Sequence, residues 1–540
     1  MELIEHYLGK WGRYQAFIYM LFTLPFMLTG VQIMGFSFTG AVPLARCLIP
    51  EMENYTTAIY DDPRIMPNHL SPLLFKQRRK MLHCAYCSPD TVSQLPNATC
   101  ANENSTVCDS GFVFSTDQHD WTLVMKMEMV CPSGAWKREL ASSMYMLGVF
   151  CGAFTAGILS DKFGRRPVFL SYSFASIITF HLLIFVPNFS ALCILHIING
   201  ALSYGAYITA YVIAMELIGG LARTICGILV QGWFAVGFLY TGLMAYLIRD
   251  YRYLQLALSL PSVLLIAYYW LIPESIRWQI IEGKKEEAKI TLEKAAKFNG
   301  QRIDDETLNH MLTVKTQTES ANLLSLFKSW PLARTTLIIF YTWFACAMTY
   351  YGLSLNTSEL PGDEYVNFIL SAVVEFPAYA VAIVTMEKLG RKVSIVSFLG
   401  VGGACIIIST FLHESMTAMI VIFACIGKGS VAAAFAVIYN YSAELLPTVA
   451  RNAAIGTASA VARIASFSAP QIYLLGSYAV VWLPFLIYGT VALIAAILCL
   501  FLPETLNRSL PESIADGIRL STIRKRSDPA TDIINDDIAL

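Results

Sequence analysis

One charged signature occurs twice in this chain at a nearly constant separation, with long apolar stretches between its parts. Asp161-Lys162-Phe163-Gly164-Arg165-Arg166 returns as Glu387-Lys388-Leu389-Gly390-Arg391-Lys392. Glu216 and Arg223 return as Glu444 and Arg451, and Pro273-Glu274-Ser275 returns as Pro503-Glu504-Thr505. The offsets are 226, 228, 228 and 230 residues, so the chain reads as two related halves, each with charged islands at one end of apolar segments. Two such bundles facing one another can rock about a central site, which is the architecture of alternating access.

The solvent for this fold is lipid. Of 540 residues 56% are hydrophobic and 14% charged, against about a quarter charged in soluble domains. A net charge of -1 leaves no basic face dense enough for nucleic acid. A helix needs about 20 apolar residues to cross the hydrocarbon core, and such stretches are expected at 14–41, 139–159, 168–187, 191–215, 224–248, 253–272, 335–355, 365–386, 393–412, 417–442, 453–475 and 481–502. The expected fold is therefore all-α and membrane-embedded, with a six-helix bundle over 14–272 and a second over 335–502. Residues 1–13 lack the pattern of a removable signal peptide.

Lys and Arg concentrate on the cytoplasmic side of short loops. Lys162, Arg165, Arg166, Arg223, Lys388, Arg391, Lys392 and Arg451 all fall on one side, whereas the opposite short loops hold Arg249 and Arg252. Both termini, 1–13 and 503–540, are then expected in the cytoplasm of a plasma-membrane protein. The loop 42–138 is expected outside, because it carries the glycosylation sequons at Asn54, Asn97 and Asn104. It also holds Cys47, Cys84, Cys87, Cys100, Cys108 and Cys131. An even count in an oxidising compartment implies disulfides, with the pairing open, and Cys84 and Cys87 lack the second pair that a zinc site needs. The segment 273–334 reads as amphipathic linker helices, with Ile280, Ile281, Ile290, Leu292 and Phe298 available to rest on the bundle.

Three ionisable residues fall inside expected spans: Glu375, Lys428 and Arg463. A charge at the centre of a membrane helix costs about 3 kcal/mol on insertion scales, so each must face a cavity or a partner. One reading makes Glu375 the counter-ion of an ammonium and Arg463 the partner of a carboxylate. The other makes them an internal ion pair. His181 and His196 read as satisfied core histidines. Asp161, Arg165, Arg166, Glu216 and Arg223, with Glu387, Arg391, Glu444 and Arg451, read as a cytoplasmic gate whose acids and bases meet on closure.

Together with the cysteine-rich first loop, Ser160 to Pro167, Pro273-Glu274-Ser275-Ile276-Arg277-Trp278, Val374-Glu375-Phe376-Pro377-Ala378, Tyr441 to Asn452 and Pro503-Glu504-Thr505 make the chain similar to the organic cation, anion and carnitine transporter family of the major facilitator superfamily. It resembles the insect organic cation transporter group most. The resemblance implies the major facilitator fold, with twelve transmembrane helices in two pseudo-symmetric bundles. It also implies a central cavity lined by Trp343, Tyr350, Tyr351, Tyr207, Gln231 and Phe234. In the family's cation branch a glutamate stands at the position of Glu375 and an aspartate at that of Arg463. The anion branch has arginine at the latter, and the carnitine-like branch has both the acid and the arginine. Lys428 matches a position that is basic across the family. His196 departs from the arginine more often found at the start of the fourth span.

No Gly-x-x-x-x-Gly-Lys-Ser/Thr loop is present, so ATP is not the expected energy source, and no cofactor, metal or enzymatic nucleophile is expected. The expected function is transport of small organic cations and zwitterions, carnitine-like or amine-containing. The alternatives are an organic anion exchanger of the same fold or a non-transporting receptor or scaffold. In the tail, Arg524-Lys525-Arg526-Ser527 reads as a kinase site and Ile538-Ala539-Leu540 as a strand for a PDZ-type domain.

Overall fold

The computed structural model describes residue 9 and residues 11–522, apart from 55–57, 64, 66–69, 71–73, 78–79, 89–104, 302–322, 358–359, 414, 481 and 509. Asn97, Asn104, Cys100, the kinase-type motif and the C-terminal strand motif lie outside the described residues.

Among the described residues twelve helices form the body. They are α1 Arg13–Thr39, α2 Cys131–Phe163, α3 Arg165–Leu182, α4 Phe189–Leu217 and α5 Gly220–Leu247, followed by α6 Tyr251–Leu271. The second set is α7 Trp330–Ser354, α8 Glu364–Lys388, α9 Arg391–Phe411, α10 Thr417–Leu445, α11 Thr448–Tyr478 and α12 Leu483–Cys499. Ten of these, among the described residues, have the length and hydropathy of a membrane crossing. The other two are α11, which carries Arg451 and Arg463, and the shorter α12.

Local chemistry sets several helix starts. Asn188 accepts from the Ala191 N–H at 2.9 Å before α4, and Asp363 accepts from Val366 N–H at 2.9 Å before α8; each satisfies an orphan donor of a first turn. Helix α8 is broken between Glu364–Val373 and Glu375–Lys388. Pro377 falls in the first turn of the second segment, where its missing N–H would have had no helical partner and its fixed φ suits a helix start. Within the first half, Gly148 and Gly152 of α2 lie against the backbone of Ile197 and Ala201 of α4, and Gly200 of α4 lies against that of Tyr145. Small residues allow that approach, and close packing is what associates helices in lipid.

The islands form one end of the molecule and repeat to the atom. Gly164 (φ 104°) and Gly390 (φ 96°) turn the chain from α2 into α3 and from α8 into α9. The Glu274 carboxylate accepts from the N–H groups of Arg165 (2.9 Å) and Arg166 (3.1 Å), and Glu504 does the same for Arg391 (2.9 Å) and Lys392 (3.1 Å). Each carboxylate sits on a helix N-terminus, where backbone donors and dipole favour an anion. Arg165 pairs with Asp161 at 2.9 Å and Glu216 at 3.6 Å, and Arg391 pairs with Glu387 at 3.6 Å and Glu444 at 3.1 Å. Ser275 and Thr505 donate to Glu216 and Glu444.

The opposite end carries the loop between α1 and α2. It contains three antiparallel two-stranded ladders: Ala45–Cys47 with Phe112–Phe114, Leu74–Gln77 with Lys80–His83, and Ala85–Tyr86 with Thr106–Val107. Cys47 pairs with Cys108 and Cys84 with Cys131, and Cys87 is disulfide-bonded as well. Arg46 is fully buried, pairing with Glu53 at 2.5 Å.

Three local expectations need correction. Helix α2 begins at Cys131, inside the stretch expected as loop, because Arg138 and Glu139 satisfy each other at 2.9 Å and Arg138 Nε donates to Gly40 O at 2.7 Å. In the linker helices Ile276–Ile281 and Lys285–Phe298, Leu292 is buried but Ile281 and Ile290 are exposed. Phe298 is half out of the surface and reaches the bundle through the Tyr14 and Phe17 rings.

Candidate functional site

The break in α8 places Glu375 at the start of the second segment, fully buried. Its carboxylate accepts from Tyr350 Oη of α7 at 3.0 and 3.2 Å and from Tyr379 Oη, one turn along α8, at 2.9 Å. It also takes Lys428 Nζ of α10 at 2.9 Å. Of the two readings open from sequence, the internal ion pair is the one seen for Glu375. Lys428 donates further to Ser371 O at 3.1 Å and Ser371 Oγ at 2.5 Å, and its ammonium faces the rings of Phe238 at 4.9 Å and Tyr350 at 5.8 Å.

Arg463 of α11 has hydroxyls where Glu375 has a cation. Its Nη1 donates to Tyr351 Oη at 3.2 Å and its Nη2 to Tyr204 Oη of α4 at 2.6 Å, with the guanidinium 4.5 Å from the Tyr204 ring centre. Arg463 Nε is buried without a hydrogen-bond partner among the described residues. Adjacent tyrosines of α7 thus serve the two charges, Tyr350 the acid and Tyr351 the guanidinium. Of Glu375, Lys428 and Arg463, the first two neutralise each other and one positive charge is left over.

The other expected lining residues divide. Tyr207 stacks on Tyr204 with ring centres 5.3 Å apart, and Phe234 lies 5.1 Å from Phe238, whose face meets Lys428. Gln231 is half-buried on α5. Trp343 is not at the charges: it donates from Nε1 to Ser442 Oγ at 2.9 Å and packs on Tyr439 at 4.3 Å. Sequence reasoning missed Tyr204, Tyr379, Ser371 and Phe238. Helical spacing carried a signal for three of them: Tyr379 and Ser371 each lie four residues from Glu375, and Tyr204 lies three from Tyr207.

The halves meet between this centre and the loop end. Ser143 Oγ donates to Phe467 O at 2.8 Å, Gln471 to Ser143 Oγ at 3.1 Å, and Tyr478 Oη to Pro132 O at 3.0 Å. Phe38 stacks on Tyr365 at 5.4 Å, and His119 of the loop pairs with Glu364 at 2.8 Å. Toward the islands, Gly456 lies two turns from Arg463 on the same face of α11 and has open space around it. The halves touch on the loop side of the site, and on its island side Gly456 is exposed with no neighbour. The expected gate residues pair within each half, Arg165 with Asp161 and Glu216 and Arg391 with Glu387 and Glu444. Arg166 Nη2 donates to Tyr269 O at 2.7 Å, and Arg223 and Arg451 donate from Nε to Ile218 O (2.9 Å) and Leu446 O (3.2 Å).

Residues 105–515 match the model of the sugar (and other) transporter family. The chain is 36% identical to the organic cation transporter protein of Drosophila melanogaster, over 96% of this chain and 94% of that one. It is 33% identical to organic cation/carnitine transporter 2 of Homo sapiens, over 98% and 95%. Among solved structures, the inward open xylose transporter XylE from E. coli superposes with a TM-score of 0.60 at 14% identity, covering 94% of this chain and 99% of that one. The chain therefore belongs to the sugar (and other) transporter family and has the major facilitator fold.

Proposed function

We propose that this chain is a plasma-membrane carrier that moves small organic cations and zwitterions, carnitine-like or amine-bearing acids, by alternating access. The carrying observation is the pair of buried charges of opposite sign on α8 and α11, Glu375 and Arg463, each bonded to tyrosine hydroxyls, those of the adjacent Tyr350 and Tyr351 among them. The acid suits an ammonium, the tyrosine faces add cation–π attraction, and the unpartnered Nε of Arg463 suits a carboxylate. The names of the Drosophila and human relatives point to the same substrate class. In this reading the island end and both termini face the cytoplasm, and the loop end is extracellular with Asn54, Asn97 and Asn104 as glycosylation sites. The islands bias the reorientation of each half.

A second reading has a specific observation behind it. Lys428 already neutralises Glu375, so the uncompensated central charge is Arg463, and an organic anion would balance it. Uptake of a radiolabelled quaternary ammonium, a zwitterion and a monocarboxylate in oocytes separates the readings. Cation and zwitterion accumulation are expected, with Arg463→Ala lowering zwitterion uptake at least tenfold more than cation uptake. Equal losses overturn the carboxylate role. Carboxylate exchange alone establishes the anion reading, and binding without flux makes the protein a receptor.

A further inference from the structure

Beside the seat that the Lys428 ammonium occupies lies a cavity with an unpartnered acceptor in its wall. A small cavity in the second half, with room for about one water, is lined by Lys428, Ser371, Asn356, Thr357, Leu360 and Phe485. Asn356 is buried in its wall, and its Nδ2 donates to Gly352 O at 2.6 Å. The remaining amide atom, Oδ1, is a buried acceptor with no partner among the described residues. Ser371 holds Nζ from its Oγ and its carbonyl and lines this cavity too, so it borders both the seat and the cavity. An orphaned acceptor beside a flexible ammonium invites the ammonium in, because leaving an acceptor unmade in a dry interior is costly.

We propose that Lys428 is an internal stand-in for the substrate's ammonium, with two positions. In the empty carrier Nζ sits on Glu375, so the acid is neutralised and the two halves can close over it and turn. When a substrate ammonium arrives at Glu375, Nζ withdraws toward Asn356 Oδ1 while keeping Ser371. The acid is thereby paired in both the loaded and the empty crossing, and the carrier returns without cargo as a uniporter does. This inference rests on the reading of Glu375 as the ammonium site. It also explains why a lysine is kept against the acid it competes with: an unpaired buried carboxylate resists the closed, dry state.

The test compares net efflux into substrate-free medium with exchange against external substrate, at matched surface abundance. Lys428→Met is expected to lower the ratio of net efflux to exchange at least tenfold, because only the loaded acid can cross. Lys428→Arg, which keeps a cation for the acid, should restore most of that ratio. Asn356→Leu is expected to raise KM for the ammonium severalfold, an effect that disappears in the Lys428→Met background. A merely structural lysine would lower both fluxes together; an unchanged ratio in Lys428→Met, or an Asn356→Leu effect independent of Lys428, overturns the proposal. Should Lys428→Met not reach the surface, the Asn356→Leu measurement decides alone, and an unchanged KM overturns it. A wild-type chain without ammonium flux sinks the functional reading itself, whereas intact flux with an unaltered ratio sinks this inference only.

Discussion

Arg463 keeps a full positive charge in the membrane interior on two tyrosine hydroxyls and one aromatic face, with Nε left over. Hydrogen bonds to a charged group contribute about 1.5–3 kcal/mol each. The two together, about 3–6 kcal/mol, are of the same size as the several kcal/mol that a buried ion loses with its water, so the guanidinium is near balance with Nε left to take an anion. Removing one hydroxyl should open a deficit. Tyr351→Phe is expected to destabilise the empty protein by about 1–3 kcal/mol, and to show a larger thermal shift on adding a zwitterion than the wild type does. A dye-based melting assay in detergent, with and without ligand, reads both. Equal shifts in the two proteins would mean that the carboxylate does not reach Arg463.

The paired turns show what an element can do that a residue cannot. Arg165 ties Asp161, Glu216 and the Ser160 carbonyl (3.1 Å) together, and Arg391 ties Glu387, Glu444 and the Met386 carbonyl (3.1 Å). The island pairs hold α2 to α4 and α8 to α10 within each half, so they keep each half rigid as it turns. Asp161 is 75% exposed, and such pairs contribute only about 0.2–1 kcal/mol. Arg165→Ala is therefore expected to lower turnover about twofold to tenfold with surface level and KM preserved, and Arg391→Ala to do the same; unaltered turnover in both would leave the islands as topology signals. These islands were legible in the sequence because charge is cheap only at the ends of membrane helices, so a duplicated loop shows itself undiluted. Glu375, Lys428 and Arg463 were legible for the same reason in reverse, since their cost demands an explanation. Their partners were not. Whether Glu375 meets Lys428 or Arg463 depends on the rotation and tilt of α8, α10 and α11, which packing sets and hydropathy does not. Arg138 was read as the last loop residue because a charge beside Glu139 looks solvated until the two are seen closing on each other.

At the scale of the molecule, the seam and an unpacked turn lie on the two sides of Arg463 along one helix. Phe467, one turn toward the loop, accepts from Ser143 of the other half, and Gly456, two turns toward the islands, has nothing beside it. A helix that is clamped on one side of its charged residue and free on the other is the lever a rocking bundle needs, because closing the free side can be matched by releasing the clamped one. The coupling is directly measurable with a membrane-impermeant maleimide. Gly456→Cys, which adds a side chain to open space, is expected to label quickly from the island side. Ser143→Cys, inside the seam, is expected to label slowly from the loop side. Both rates are to be read above the wild-type background from its seven membrane cysteines outside the disulfides. As substrate on both sides speeds turnover, a rigid rocking motion requires the two rates to move oppositely, Ser143→Cys rising as Gly456→Cys falls. If they vary independently, the halves do not turn as units, and Arg463 sits between two unconnected openings.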